Sequence, residues 1–153
     1  MPVIKKSATI QAPVEKVFDT VDDPEKVAEY APGVSKVSDI QRSEQRVGDS
    51  FVVTYNVLGL HMDEKFRVTG YQRPNSIDNE VDGPMAGTFR WAFQPEGPSA
   101  TLTSVEIDYQ LRGPSGIARA VDALLLERMN QKNMERMLEN LQMILEGKPA
   151  GTG

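Results

Sequence analysis

The chain has no cysteine and only one histidine, His61, among its 153 residues. Without cysteine it can form no disulfide, no thiolate nucleophile and no cysteine metal ligand, which excludes the small secreted scaffolds that depend on disulfides. One histidine cannot build a multi-histidine centre, so we predict no metal and no cofactor. A Ser-His-Asp triad would have to use His61.

Long hydrophobic runs are also missing. No segment approaches the roughly 18 consecutive apolar residues of a membrane-spanning helix, and residues 1–6 lack the apolar core of a signal peptide. The net charge of −5 gives no electrostatic support for binding nucleic acid. We therefore expect a cytoplasmic monomer or homodimer with no stable membrane insertion and no nucleic-acid partner. Its length predicts one domain, placed at residues 1–147, and a flexible tail at 148–153.

The first part of the chain predicts a strand followed by two short helices. The strand covers Val3–Gln11. Pro13 suits the start of the first helix, because the N–H group that proline lacks is not needed there. Asp23 suits the N-cap of the second helix and Pro24 its first helical position.

The middle of the chain alternates apolar and polar residues with a period of two. In the segment Leu60–Tyr71, Glu64 shares a face with Met62, whereas His61 lies on the opposite face. Strict alternation leaves every strand one solvated side, which is typical of an antiparallel sheet. The pattern predicts seven short strands that end near residue 111.

A single long helix, predicted over Ser115–Glu146, closes the chain before Gly147. Its apolar stripe consists of Ile117, Ala120 and Leu124 and then, after a gap, of Met134, Met137, Leu141 and Ile144. The gap holds the polar residues Glu127, Asn130 and Gln131. Short strands followed by one long amphipathic helix predict a curved sheet wrapped around that helix, with a hollow that holds either side chains or a ligand.

Several segments resemble one superfamily. Ile10–Phe18, Asp23–Glu25 and Pro32–Val34 resemble the N-terminal signature of the START-like (SRPBCC) superfamily. Val81–Pro84, together with the segments Phe89–Pro95 and Thr103–Tyr109, resembles its bacterial polyketide cyclase and coenzyme-Q-binding branch. The resemblance covers residues 3–146. The glycine-rich loop of the pollen-allergen branch is missing.

The resemblance implies an α+β helix-grip fold: a seven-stranded curved antiparallel sheet around a long C-terminal helix, with two short helices after the first strand. It also implies an apolar cavity that binds or transports a lipid, an isoprenoid or quinone, or an aromatic polyketide-like molecule. The alternative is a cofactor-independent polyketide cyclase/dehydratase-type lyase or isomerase that acts in the same cavity. The superfamily shares no catalytic motif, so no catalytic residue is carried over. A co-chaperone that binds only proteins is a third class, for which the sequence offers no separate motif.

Glu64 is the sharpest anomaly in the strand pattern. Its position predicts a carboxylate on an apolar face, where a charge costs several kcal/mol unless it is paired or neutralised. One interpretation is a polar anchor for a ligand or a general acid with a raised pKa. The other is a β-bulge that turns Glu64 to solvent.

Asn130 is the second anomaly, because it stands where an apolar residue would continue the stripe of the closing helix. A cavity that holds ligand or water would satisfy its amide, whereas a packed core would not. The alternatives are a bend that turns Asn130 outward and a stripe shifted to Leu126 and Met129.

The candidate ligand-binding residues are the polar and aromatic side chains on the predicted inner faces, together with methionines that can reshape around a ligand. They are Phe51, Tyr55, Met62, Glu64, Phe66, Phe89, Trp91, Phe93, Tyr109, Met129, Asn130, Met134 and Met137. Core packing alone also explains most of them. If the protein is an enzyme, the candidates for proton transfer are Glu64, Tyr55 and Tyr109.

Overall fold

Seven strands and one long helix account for most of the chain in the computed structural model, which describes residues 3–57, 59–111 and 123–147. The elements are β1 (Val3–Ile10), α1 (Val14–Asp22), a 3₁₀ turn (Pro24–Lys26), α2 (Val27–Tyr30), β2 (Val34–Gln41), β3 (Ser50–Val57), β4 (Leu60–Gln72), β5 (Ser76–Asp82), β6 (Met85–Pro95), β7 (Thr101–Leu111) and α3 (Ala123–Glu146). The predicted helix start at Ser115, with Ile117 and Ala120, lies outside the described residues, as does the predicted tail.

The strands form one antiparallel sheet in the order β1-β7-β6-β5-β4-β3-β2. Hairpins connect each pair of consecutive strands from β2 to β7. Strand β1 pairs with β7 and forms one edge of the sheet. Helix α3 lies against β1 and α2. The predicted α+β helix-grip fold, with a curved antiparallel sheet, two short helical segments after β1 and a long C-terminal helix, is confirmed.

Hydrogen bonds from side chains in the C-terminal half of α3 hold this helix against the rest of the fold. The Asn140 side chain donates to the Tyr30 carbonyl at 2.9 Å, and the Gln142 side chain donates to the Thr9 carbonyl at 3.0 Å. Asp23 caps the 3₁₀ turn by accepting from the Glu25 N–H at 3.0 Å. These bonds satisfy backbone groups at or near the ends of α2, β1 and the 3₁₀ turn.

The predicted stripe of the long helix is wrong at two positions. Leu124 is 55% exposed and Ile144 is 44% exposed. The buried face of α3 consists of Leu126, Met134, Met137, Leu138, Leu141 and Leu145. Leu124 precedes Leu126 by two residues, which is about 200° around a helix, and Ile144 lies about 100° from Leu145. The stripe therefore shifts to Leu126 and Met129, as one of the alternatives held: Leu126 is buried, and Met129 is partly buried and packs against the core.

No helix among the described residues is long and apolar enough to cross a membrane.

Candidate ligand-binding cavity

Two adjoining cavities lie between the inner face of the sheet and the helices. The first, about 100 Å³, lies beside Tyr109 and Asn130. The second, about 60 Å³, lies beside Trp91 and Ile77 and reaches the end of α1. The same residues line both cavities where they meet: Ala31, Tyr55, Phe66, Phe89 and Met137. We call these five residues the constriction.

The structure brings most of the predicted ligand-binding residues to these two cavities. Those that line the first are Tyr55, Glu64, Phe66, Phe89, Tyr109, Asn130, Met134 and Met137. Phe51 and Trp91 line the second, together with the members of the constriction.

Three of the predicted residues line neither cavity. Met62 and Phe93 are buried in the core, and Met129 is partly buried and packs against it. His61 is exposed on the opposite face of β4, where the alternation places it.

Aromatic rings form a continuous wall across the sheet. Phe51 stacks on Phe66 at 5.3 Å, and Phe66 meets Phe89 edge to face at 5.5 Å. Phe89 packs on Trp91 at 6.0 Å, and Trp91 stacks on Phe93 at 6.1 Å. These distances are typical of favourable aromatic pairs, which hold each ring in place. The wall is therefore a preformed apolar surface.

Glu64 faces the first cavity and is 1% exposed. The pairing of β3 with β4 is regular at Val53 and Glu64, so the outward-turning bulge is excluded. One carboxylate oxygen accepts from the Met85 N–H at 2.7 Å. A Cβ atom added to Gly83 would overlap the other oxygen. The turn between β5 and β6 thus closes around the carboxylate.

Tyr55 shares the environment of Glu64. Burial raises the pKa of Tyr55, and the nearby Glu64 carboxylate raises that pKa further. A phenol that does not ionise near neutral pH is a hydrogen-bond donor, not a base. Tyr55 can therefore donate into the cavity but does not supply a phenolate.

Tyr109 and Asn130 form a second polar group in the wall of the first cavity. Tyr109 is 6% exposed, and within the described ranges its hydroxyl has no partner at hydrogen-bonding distance and angle. Burial raises the pKa of Tyr109, and the neighbouring Asn130 amide partly offsets that rise. The Asn130 amide nitrogen lies 3.9 Å from the Met85 sulfur. Asn130 therefore faces the cavity, and the outward bend is excluded.

The sequence analysis did not identify several residues that line the two cavities. Asn133 and Thr88 add polar groups to the first cavity, and Asn79 lines the second. The Asn79 side chain donates to the Phe89 carbonyl at 3.2 Å, which satisfies part of its amide. Asn79 alternates with polar residues in step with Ile77 and Val81 of β5, so the sequence carries a signal for its position on the inner face. No periodic signal marks Ala31, which enters the constriction from the end of α2.

Comparison with known proteins agrees with this geometry. The family model described as "Polyketide cyclase / dehydrase and lipid transport" matches residues 1–146. No curated protein matches the chain in sequence.

Solved structures share the fold at low identity. A START superfamily protein from Mycobacterium smegmatis is 17% identical, with a TM-score of 0.78 over 96% of this chain and 99% of that one. The Zhui aromatase/cyclase from Streptomyces sp. R1128 is 18% identical, with a TM-score of 0.75 over 99% of this chain and 98% of that one. Because the family model covers nearly the whole chain, the protein belongs to the polyketide cyclase/dehydrase and lipid transport family.

Proposed function

We propose that the protein binds a small, neutral, ring-containing hydrophobic molecule that carries a carbonyl or hydroxyl group. The observation that carries this proposal is the buried Tyr109 hydroxyl, which lines the first cavity and makes no hydrogen bond of standard distance and angle among the described residues. A buried polar group left unsatisfied costs about 1–3 kcal/mol, and a ligand oxygen would remove that cost. The Asn130 amide lies beside the hydroxyl and supplies a second polar contact.

The side chains that line the first cavity favour a neutral ligand. No Lys or Arg is among the described residues that line the first cavity, so no side chain there would pair with a ligand carboxylate or phosphate. The rest of the wall is mainly apolar, and the stacked Phe51 and Phe66 rings continue it into the second cavity. Flat rings complement such a wall better than a flexible chain does, since they lose less conformational entropy on binding.

The first cavity must widen to hold such a ligand. Its volume of about 100 Å³ lies below the roughly 300–1,000 Å³ of most ligand sites. Met85, Met134 and Met137 all line it, and unbranched methionine side chains change rotamer easily. We infer that these three side chains move aside while the aromatic wall stays in place.

An enzyme of the polyketide cyclase/dehydratase type is the second candidate. The first cavity is lined by two phenols, Tyr55 and Tyr109, by the Asp108 carboxyl and by the Glu64 carboxylate. In such a reaction the Glu64 carboxylate would take a proton from a carbon beside a ketone, and that carbon would bond to a second carbonyl. Glu64 would return that proton to the new alkoxide, which a phenol stabilises by donating a hydrogen bond. Glu64 would then take the second proton from the same carbon and pass it to the leaving hydroxyl, which departs as water. One oxygen of Glu64 already accepts from the Met85 N–H, so binding is the better-supported function.

Mass spectrometry distinguishes these functions. Freshly purified protein is measured under native conditions and again after organic extraction. A neutral aromatic, isoprenoid or quinone-like compound that leaves with the extract supports the binding function. A protein that purifies empty and converts a polyketide-like substrate supports the enzyme. A protein that neither retains such a compound nor binds a neutral fluorescent probe such as N-phenyl-1-naphthylamine contradicts both.

Tyr109→Phe is expected to weaken binding of an oxygen-bearing ligand about tenfold, the value of one hydrogen bond. The free protein should be as stable as the parent or slightly more so, because the substitution removes a buried hydroxyl that makes no hydrogen bond of standard distance and angle among the described residues. Titration calorimetry and urea unfolding measure the two effects. Tyr71→Phe is the matched control: its hydroxyl donates to Asp22 at 2.9 Å, so it should lose stability and keep the affinity. Equal affinities for Tyr109→Phe and the parent would remove Tyr109 from the site.

Glu64→Gln is expected to keep the fold and to change the affinity for a neutral ligand less than threefold. The glutamine oxygen can still accept from the Met85 N–H, whereas Glu64→Ala leaves that buried donor unpaired at a cost of about 1–3 kcal/mol. Urea unfolding of both variants tests the difference. If Glu64→Gln abolishes turnover of a substrate that it still binds, Glu64 is a catalytic base and the binding-only function is wrong.

A further inference from the structure

A surface cleft of about 390 Å³ lies at the corner between α1 and the 3₁₀ turn. Two residues of that corner, Asp22 and Pro24, line both this cleft and the second cavity. The corner is therefore a thin wall, with solvent on one side and the apolar cavity on the other. The second cavity adjoins the first cavity at the constriction. The second cavity therefore lies between the cleft and the first cavity.

Four side chains hold this corner in place. The Tyr71 hydroxyl donates to the Asp22 carboxylate at 2.9 Å. Arg42 and Arg46 approach the same carboxylate oxygen at 3.5 and 3.8 Å. Arg42 also donates to the Asp22 carbonyl at 3.1 Å. We call Asp22, Arg42, Arg46 and Tyr71 the Asp22 cluster.

The cluster joins elements that are separate in the chain. Asp22 ends α1, Tyr71 lies near the end of β4, and the two arginines belong to the loop between β2 and β3. Hydrogen bonds within the loop hold its two ends together: the Asp49 side chain accepts from both the Ser43 N–H and the Ser43 hydroxyl at 2.8 Å. The loop is also tied to β4, because the Gly48 N–H donates to the Val68 carbonyl and the Val68 N–H donates to the Asp49 carbonyl, each at 2.8 Å. The corner at Asp22 and Pro24 can therefore separate from the loop, while the loop stays attached to the sheet. Partly exposed ion pairs contribute only about 0–1 kcal/mol each, so such a movement is cheap compared with opening the sheet.

We propose that the second cavity has its own entrance at this corner and that the Asp22 cluster is the gate that closes it. Small neutral molecules reach the apolar cavity when the corner at Asp22 and Pro24, which lines both the cleft and the second cavity, separates from Arg42 and Arg46. The inference adds a route to the proposed binding function, but it concerns access alone and does not depend on which ligand fills the cavity.

The absence of native cysteine permits a direct test by thiol labelling. Val68 lines the second cavity and Val81 the first, and both are 8% exposed. The variants Val68→Cys and Val81→Cys are each labelled with the small neutral reagent methyl methanethiosulfonate, with and without Asp22→Ala. Asp22→Ala is expected to speed labelling at position 68 about tenfold, equivalent to about 1.4 kcal/mol, and to leave position 81 unchanged.

Asp19→Ala is the matched control for the cleft. Asp19 lines the cleft and pairs with Arg73 at 2.9 Å, but it does not line the second cavity. It should leave labelling at position 68 unchanged. If Asp22→Ala does not fold, Asp22→Asn removes the charge while keeping an acceptor for Tyr71, and a smaller acceleration at position 68 is expected. Unchanged labelling at position 68, or equal acceleration at positions 68 and 81, overturns the gate. Failure of the protein to bind any probe would overturn the proposed function and leave this result intact.

Discussion

Gly87→Ala is expected to cost about 3 kcal/mol or more of the free energy of unfolding, or to prevent folding. Gly87 lies in β6 opposite Tyr109 of β7. A Cβ atom at position 87 would overlap the Asp108 carbonyl oxygen and lie 2.9 Å from the Tyr109 Cα. These are backbone atoms, so relief requires β7 to move away from β6 and to carry Tyr109 out of the cavity wall. Urea unfolding followed by tryptophan fluorescence measures the loss.

Gly97→Ala separates this steric effect from the general preference of a turn for glycine. Gly97 has φ +83°, and no heavy atom would lie within 4 Å of an added Cβ. Its substitution should cost only about 1 kcal/mol, from the left-handed backbone alone. If Gly87→Ala loses no more stability than Gly97→Ala, the close approach of β6 and β7 is not what requires glycine at position 87.

The inner face of the sheet could be predicted from the sequence because side chains in a strand alternate with a period of two. Once one apolar residue of β4 is assigned to the inner face, alternation assigns every second residue of the strand to the same face. Glu64 could therefore be placed on the inner face with Met62 and Phe66. No bulge interrupts β4 at this point, so the alternation holds. The same rule placed His61 outside, where it is exposed.

The helix was harder to predict, because a period of 3.6 leaves the apolar positions of α3 compatible with more than one stripe. Leu124, Leu125 and Leu126 are consecutive, and the periodicity alone does not choose among them. The structure buries Leu126, which is 2% exposed, and leaves Leu124 and Leu125 at the surface. Asn130 lies one turn from Leu126 and one turn from Met134, so it shares their side of the helix.

Contacts between distant segments could not be predicted from any local pattern. The β5–β6 turn folds over Glu64 because Gly83 has no side chain, and the amide that Glu64 binds belongs to Met85, 21 residues later in the chain. Asp22 meets Tyr71 across 49 residues. These contacts decide where the cavities begin and end, whereas the alternation decides only which side chains face inward.

The site therefore combines a rigid side and an adaptable side. Stacked rings such as Phe51 and Phe66 are held by their neighbours on the sheet. Met134 and Met137 approach from α3 and fill the remaining space with flexible chains. We expect ligands to select positions of the methionines without displacing the rings, and the residue at the centre of that adaptable side is Met137.

Met137→Trp is expected to weaken binding of N-phenyl-1-naphthylamine about 100-fold or more while the protein still folds. Met137 is 5% exposed and belongs to the constriction, so an indole there takes up space from both cavities. The existing cavities absorb part of the extra volume, which keeps the cost in stability near the low end of the roughly 1–3 kcal/mol of overpacked cores. Fluorescence titration measures the affinity, and urea unfolding checks the fold.

Met129→Trp is the matched control for this substitution. Met129 lies on the same helix and packs against the core, but it lines neither cavity. A tryptophan there should leave the affinity for the probe within about threefold of the parent, since it takes no space from the site. Equal losses in the two variants would show that bulk on α3 acts through the fold in general. Full binding by Met137→Trp would show that the probe binds somewhere other than between the sheet and α3, and the proposed binding function would then lose its site.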